Sequence, residues 1–156
     1  MAATRLWVEM FQDNINQPFY AATTIGLSYH LHVHRQGIAI HTSGLAANQL
    51  LLLQQILQQT QIQQFSENRF EELKRQLSRH WRNSSKNKPV ARLFSQLSAV
   101  LQPTNPEIDQ LADALDTLSF NQFLQFSARL LQQVHIESLL LGNWSQEAAE
   151  QLKSML

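Results

Sequence analysis

Four histidines lie close together in the sequence and are the side chains best suited to chemistry. His30, His32 and His34 alternate along one segment, and His41 follows on the next. Alternate residues of a β-strand project from one face, so the imidazoles can converge, and imidazole is a common ligand of zinc, copper and nickel. Same-face neighbours are separated by roughly 6.6 Å at the backbone, which hinders compact coordination by all three. The stretch holds no cysteine or carboxylate that could complete a metal site. The sequence therefore predicts a hairpin whose histidines form a solvated polar face, and a metal-binding hairpin is the alternative.

A second pair of chemically active side chains lies near the C-terminus. His135 and Glu137 share one face of a predicted strand, as catalytic pairs and ordinary polar pairs both do. The chain holds no His-x-x-Glu-His sequence or its inverse, no phosphate-binding glycine loop and no Gly-x-Ser-x-Gly. We therefore favour a structural role for His135 and Glu137, as a polar pair, over a catalytic one. The sequence predicts no catalytic residue, no cofactor-binding residue and no metal site. The only candidate metal ligands are the four hairpin histidines.

The composition excludes several classes of function. Lys and Arg number 12 and Asp and Glu number 12, so the formal net charge is 0. A chain without excess cations is a poor nucleic-acid binder and a poor electrostatic membrane binder. No apolar run approaches the roughly 18 residues of a membrane span, and without cysteine there are no disulfides. The 21 glutamines and 25 leucines leave a charge-poor surface, which favours association with other surfaces.

The elements that must position these residues follow from hydrophobic periodicity. Helical spacing predicts helices over 5–16, 19–25, 48–59, 66–81, 90–101, 106–115, 120–133 and 143–152, with Pro18 interrupting the first pair and Gly26 capping the second. Alternation predicts a hairpin over 27–42 and a later strand over 134–141 that shares its sheet. Asn105, Ser119 and Asn143 are the predicted N-caps of the last three helices. The predicted class is α+β, mostly helical with a small antiparallel sheet, in the order helix, hairpin, helices, strand, helix.

Four stretches of this sequence resemble one protein family. They are the Tyr20–Leu31 run with its Gly-Leu-Ser-Tyr, the hairpin corner Ser43-Gly44-Leu45 followed by Leu51–Ile56, Phe65–Phe70 with Lys88-Pro89, and Gln133-Val134-His135-Ile136-Glu137 through Gly142-Asn143. The last stretch is the most specific, and the spacing between the four agrees over nearly the whole chain. On these motifs the chain resembles the middle region of the pitrilysin and insulin-degrading-enzyme family of zinc metallopeptidases.

The resemblance implies a part in a larger enzyme. Family members contain four related α+β domains in two halves that enclose a peptide-binding chamber, and only the first domain carries the zinc motif. The chain resembles the third domain, so residues 1–156 are expected to be one non-catalytic domain, a fragment that lacks its opening strand or strands. Its implied partners are the other domains of the same polypeptide and the peptide substrates of the parent, with no nucleic acid and no membrane. Zinc is implied for the parent and no cofactor for this chain.

Several alternatives remain open from the sequence. A related peptidase of pyrroloquinoline quinone biosynthesis shares these domains, and a small metal-binding module would use His30, His32, His34 and His41. A third alternative is a stand-alone helical interaction protein. Both ends of the sequence resemble those of a truncated chain, which argues against this alternative. The resemblance implies a periplasmic location if the parent follows pitrilysin, and a cytoplasmic one otherwise; the N-terminus has no signal-peptide pattern.

Overall fold

The computed structural model describes residues 1–34, 36–62, 64–84, 89–90, 93–94, 97, 101 and 106–156. Within them the elements are α1 (Ala2–Thr24), β1 (Ser28–His34), β2 (Gly37–Ser43), α2 (Ala46–Gln61), α3 (Glu67–Asn83), α4 (Ile108–Asp116), α5 (Phe120–Leu130) and α6 (Gln146–Met155). The predicted α+β class, mostly helical with a small antiparallel sheet, is confirmed. Most of the helix predicted over 90–101, and the predicted cap Asn105, lie outside the described residues.

One long helix replaces the two short helices predicted at the N-terminus. α1 runs unbroken through Pro18, so the prediction that Pro18 ends a helix is wrong. Proline removes one backbone donor, which would otherwise serve the carbonyl of Asn14. Both Pro18 and Asn14 are exposed, so water can reach that carbonyl. Buried Ile15 and Phe19 flank the proline and hold both halves of the helix against the same core.

The core is built around α1, whose buried face contacts β1, α3 and α4. Trp7 and Phe11 stack with ring centres 5.0 Å apart. The Trp7 indole donates a hydrogen bond of 3.0 Å to the hydroxyl of Ser127 on α5, and both residues are buried. Phe70 of α3 and Phe123 of α5 lie beside this layer with ring centres 5.2 Å apart. These contacts join the first helix to elements far along the chain.

The turn between α1 and the hairpin follows the predicted glycine cap. Gly26 has a φ of +85°, and its N–H donates to the carbonyl of Thr23. The N–H of Leu27 reaches back to the carbonyl of Ala22, which completes the two bonds of a Schellman motif. Leu27 is buried, so the cap also directs the chain into β1 with its apolar residues facing the core.

The caps of the later helices agree with the sequence in part. Ser119 and Gln122 form the predicted capping box at α5, each side chain bonding to the other's backbone. α4 begins at Ile108 rather than at Pro106, because Glu107 has an extended ψ of 150° that no helix continues through. The N-cap of α6 is Ser145, whose hydroxyl accepts from the N–H of Ala148, and not the predicted Asn143.

The strand predicted over 134–141 is not formed. The sheet of the described residues holds β1 and β2 alone, and residues 134–141 have no regular secondary structure. A strand needs a neighbour to satisfy its backbone donors and acceptors, and in the described part of the chain none pairs with this segment. Its apolar side chains remain exposed, Leu139 to 79 % and Leu141 to 78 %. Among the described residues, no helix combines the length and hydropathy that crossing a membrane requires.

Candidate functional site

The four hairpin histidines lie on one exposed face, as their alternation predicts. The antiparallel register pairs His30 with His41, His32 with Ala39 and His34 with Gly37. Directly paired residues project from the same side of a sheet, so His41 joins the row of three. All four histidines are exposed. We call this surface of His30, His32, His34 and His41 the histidine face.

The opposite side of the hairpin fixes the histidine face in place. Leu31 is 2 % exposed, and Tyr29 and Val33 on the same side are half-buried against the core. The Tyr29 ring meets Phe19 of α1 edge to face at 5.8 Å, and its hydroxyl donates to the Asn16 side chain at 3.1 Å. Burial of this ring raises the pKa of the Tyr29 hydroxyl. These contacts seat the hairpin on α1 and turn the imidazoles outward.

The hairpin also depends on a close approach of backbone at its base. Gly44 follows β2 with a φ of +137°, and a Cβ there would lie 2.8 Å from the carbonyl oxygen of Gly26. Any other residue would push the end of β2 away from the cap of α1. The hydroxyls of Ser28 and Ser43, which are paired across the strands, lie 2.6 Å apart and close this end of the ladder.

The imidazoles are spaced unevenly along the histidine face. The ring centres of His30 and His32 lie 5.7 Å apart and nearly parallel, while those of His32 and His34 lie 6.3 Å apart and tilted by 53°. The Nδ1 of His34 accepts a hydrogen bond of 3.3 Å from the backbone N–H of Gln36 in the turn. Within the described residues, no three His, Asp or Glu side chains stand together as a group that could hold a metal ion.

The second candidate pair is far more exposed than a catalytic pair requires. His135 Nε2 and Glu137 Oε1 lie 3.5 Å apart, with side chains 87 % and 89 % exposed. Water screens such a pair, which therefore contributes little to stability. An open groove of about 550 Å³ lies between residues 134–140 and α6. His135 lines one wall of this groove, and Leu152 and Lys153 of α6 line the other.

Two stretches of apolar side chains have no protein cover among the described residues. The first is the irregular segment 134–141, and the second lies at helical spacing over 90–101. Their exposed members are Val134 (53 %), Ile136 (47 %), Leu139 (79 %), Leu141 (78 %), Val90 (64 %), Leu93 (63 %), Phe94 (65 %), Leu97 (47 %) and Leu101 (69 %). Periodicity marks these residues as apolar faces, but it does not tell a core face from one that meets another domain. We call the two stretches together the uncovered apolar surface.

Arg69 and Arg82, two of the five Lys and Arg residues of α3, form ion pairs with neighbouring helices. The guanidinium of Arg69 donates to both carboxylate oxygens of Asp13 on α1, and that of Arg82 contacts Asp113 and Asp116 on α4. Hydrogen bonds from Arg69 hold the pKa of Asp13 below its ordinary value, against the opposing effect of burial. Hydrogen bonds from Arg82 and then from Ser78 lower the pKa of Asp116 in the same way. Within α3 itself, Arg69 also contacts Glu72, three residues further along the helix.

Comparison with known proteins places this architecture in a family. The family model described as the middle or third domain of peptidase M16 matches residues 1–114. The human insulin-degrading enzyme is 30 % identical over 151 residues, which cover 97 % of this chain and 15 % of that enzyme. The A-factor-processing enzyme of Saccharomyces cerevisiae is 24 % identical over 151 residues, with the same two coverages. The insulin-degrading enzyme of Drosophila melanogaster is 24 % identical over 144 residues, or 92 % of this chain and 14 % of that enzyme.

The match covers most of this chain but a small part of each relative. The chain spans about 15 % of the length of the curated relatives that it matches. The resemblance seen in the sequence motifs, the mostly helical fold and the family model all agree. The chain belongs to the M16 family of metallopeptidases and corresponds to the middle or third domain of its members.

Proposed function

We propose that this chain is a non-catalytic middle domain of a pitrilysin-like zinc metalloendopeptidase. In the parent it packs against other domains of the same polypeptide and helps to form a chamber that encloses peptides. Cleavage then takes place elsewhere in the parent, at a zinc-activated water. The domain contributes by limiting which peptides enter and how they lie.

The uncovered apolar surface carries this proposal. Isolated proteins rarely expose contiguous apolar patches without a binding role. Here nine apolar side chains at 90–101 and 134–141 are between 47 % and 79 % exposed. A domain whose relatives are several times longer has neighbours available to cover such a surface.

The names of the relatives support peptides as the substrates of the parent. One relative is named for degrading insulin and another for processing the A-factor. Insulin is a polypeptide, so the first name describes an enzyme that acts on a polypeptide substrate. A wall domain in such an enzyme would meet the substrate without cutting it.

The first experiment separates catalysis from this domain. The purified 156-residue chain is expected to leave a fluorogenic peptide intact, with or without added zinc. The full-length parent is expected to cleave the same peptide and to lose that activity to a chelator. Zinc-dependent, chelator-sensitive cleavage by the chain alone would overturn the proposal that it is non-catalytic.

A second experiment tests the chamber. A non-cleavable peptide that carries a photoreactive benzophenone is bound to the full-length parent and irradiated, and the cross-links are mapped by mass spectrometry. We expect cross-links within this domain that disappear when excess unmodified peptide competes. Cross-links confined to other parts of the parent would mean that this domain does not line the peptide-binding space.

A further inference from the structure

The histidine face lies in a part of the chain that has almost no charge. Of the 12 Lys and Arg and the 12 Asp and Glu residues, Arg35 alone lies between residues 14 and 66. The elements of this stretch are the second half of α1, the hairpin and α2, and the hairpin contacts both helices. Arg35 itself lies outside the described residues. The four histidines therefore dominate the charge that this part of the molecule can acquire.

No Asp or Glu forms an ion pair with the histidine face within the described part of the chain. Of the two helices that contact the hairpin, α2 has no ionisable side chain. The ionisable side chains of α1 are those of Arg5, Glu9, Asp13 and Tyr20. Asp13 binds Arg69 of α3, and the contacts of α1 with Tyr29 come from Asn16 and Phe19, further along the helix. A counter-ion for protonated imidazoles must therefore come from another molecule or another domain.

The imidazoles are spaced to meet separate groups of a ligand. The ring centres of His30 and His32 lie 5.7 Å apart and those of His32 and His34 lie 6.3 Å apart. The first two rings are stacked, so their nitrogens do not converge and each ring needs its own partner. Alternate side chains of an extended peptide project to one side with a repeat of roughly 6.6 Å. Carboxylates at every second residue of such a peptide therefore match the row of imidazoles.

Protonation changes the histidine face from neutral to cationic. Histidine is the side chain that ordinarily changes charge between about pH 5 and pH 8, whereas glutamate stays ionised down to about pH 4.3. At pH values between these two ranges, imidazoles and glutamates carry opposite charges. Hydrogen bonds between such ions are stronger than those between neutral groups. An acidic peptide therefore complements the histidine face in mild acid and loses this complementarity above neutral pH.

We propose that the histidine face binds an acidic segment of an extended peptide, and that protonation of its imidazoles switches this binding on as the pH falls below about 6. The ligand is a polypeptide with carboxylates at alternate residues, each of which accepts a hydrogen bond from one imidazolium. His41, which pairs with His30 across the ribbon, widens the cationic surface beside the row on β1. This inference rests on the proposed function only in taking a peptide as the ligand.

The experiment measures fluorescence anisotropy of a labelled peptide of alternating Glu and Ala with the 156-residue chain. We expect binding about tenfold tighter at pH 5.5 than at pH 7.5, because several exposed ion pairs, each weak alone, act together. Added salt should weaken the binding at pH 5.5, since it screens exposed charges. The quadruple variant His30→Gln/His32→Gln/His34→Gln/His41→Gln should lose the gain in acid. Far-UV circular dichroism at both pH values checks that every variant keeps the fold.

Two matched controls define the charges involved. The variant His80→Gln/His135→Gln, which removes exposed histidines away from the hairpin, should bind the peptide within about twofold of the unaltered chain. A peptide of alternating Gln and Ala should gain no affinity in acid. The proposal fails if the acidic peptide binds equally at both pH values, if the quadruple variant keeps the gain, or if the Gln peptide gains as much.

A second copy of the chain is the competing occupant of the histidine face. Light scattering of the chain alone at pH 5.5 tests it, and we expect no self-association that the quadruple variant abolishes. Such self-association would assign the face to a second copy and overturn the proposal. Failure to bind the acidic peptide would leave the cleavage and cross-linking tests of the proposed function unchanged, so the two can fail separately.

Discussion

The pair of Asp13 and Arg69 joins α1 to α3 through two parallel hydrogen bonds. The pKa of Asp13 in the folded chain lies below its ordinary value of 3.8, chiefly because of these bonds. The folded state then binds fewer protons than the unfolded state as the pH falls. The stability that the pair contributes is therefore fully present above about pH 4 and is lost as the pH falls through the lowered pKa.

We predict that Asp13→Asn lowers the free energy of unfolding at pH 7 and that the loss is smaller at pH 3 than at pH 5. The effect is modest, because both side chains are about one-third exposed and solvent screens the pair. Urea unfolding followed by circular dichroism at pH 7, 5, 4 and 3 measures it. Asp109→Asn, at an exposed aspartate on α4, serves as the control. An Asp13→Asn deficit that stays constant down to pH 3 would contradict the assigned direction of the pKa.

The hydrogen bond from Trp7 to Ser127 lies in the buried core. We predict that Ser127→Ala destabilises the chain by about 1–3 kcal/mol, because the indole N–H then loses its acceptor away from water. Chemical unfolding of the variant measures this loss. Ser154→Ala, which removes an exposed hydroxyl from α6, is expected to change stability by less than about 0.5 kcal/mol.

A double variant assigns the effect to this bond. Trp7→Phe removes the donor, so Ser127→Ala should cost less in the Trp7→Phe background than in the unaltered chain. Equal costs in the two backgrounds would show that the Ser127 hydroxyl acts through another contact. The sequence could not predict this pair, because 120 residues separate its members and no local pattern relates them. The common side of His30, His32 and His34, in contrast, follows from alternation along β1 and is confirmed.

At the scale of elements, α1 departs most from its local sequence signals. Pro18 lies inside the helix, where it removes one backbone hydrogen bond. We predict that Pro18→Ala raises the free energy of unfolding by about 1–3 kcal/mol, since alanine restores the donor to Asn14 and suits a helix better. Thermal and urea unfolding measure the change.

The control for Pro18→Ala is its exposed neighbour on the same helix. Gln17→Ala leaves every backbone donor in place and is expected to change stability by less than about 0.5 kcal/mol. A destabilised Pro18→Ala variant would show that the packing of Phe19 depends on the geometry that the proline imposes.

The elements differ in how much local sequence determines them. The capping box at Ser119 and the Gly26 cap need only a few neighbouring residues, so both could be predicted and both are present. The unbroken α1 depends on a core that favours continuity over the proline's local preference. The segment 134–141 has the apolar pattern of a strand, but strand formation needs a neighbouring strand that local sequence cannot supply.

At the scale of the whole molecule, burial is uneven. The core closes around Trp7, Phe70 and Phe123, which are at most 1 % exposed. The uncovered apolar surface at 90–101 and 134–141 remains in contact with solvent. The zero net charge adds no long-range repulsion between copies, so the isolated chain is expected to associate through this surface.

We predict opposite effects of one change in the isolated chain and in the parent. Leu139→Glu/Leu141→Glu should leave the unfolding free energy of the 156-residue chain within about 0.5 kcal/mol, because both side chains are more than three-quarters exposed. Light scattering should show less self-association. In the parent, where we propose that other domains cover these leucines, the same change should destabilise the domain by roughly 3 kcal/mol or more, since each buried leucine contributes about 1.5–3 kcal/mol.

The matched control adds the same two charges without removing apolar area. Gln132→Glu/Gln133→Glu lies in the same exposed stretch and should leave the stability of the parent nearly unchanged. If the leucine variant destabilises the isolated chain as strongly as the parent, the two leucines already belong to the core of this domain. If the leucine variant affects neither protein, residues 134–141 are ordinary solvent-exposed surface and the interface must lie on the stretch 90–101. Leu93 and Phe94 are then the next pair to substitute.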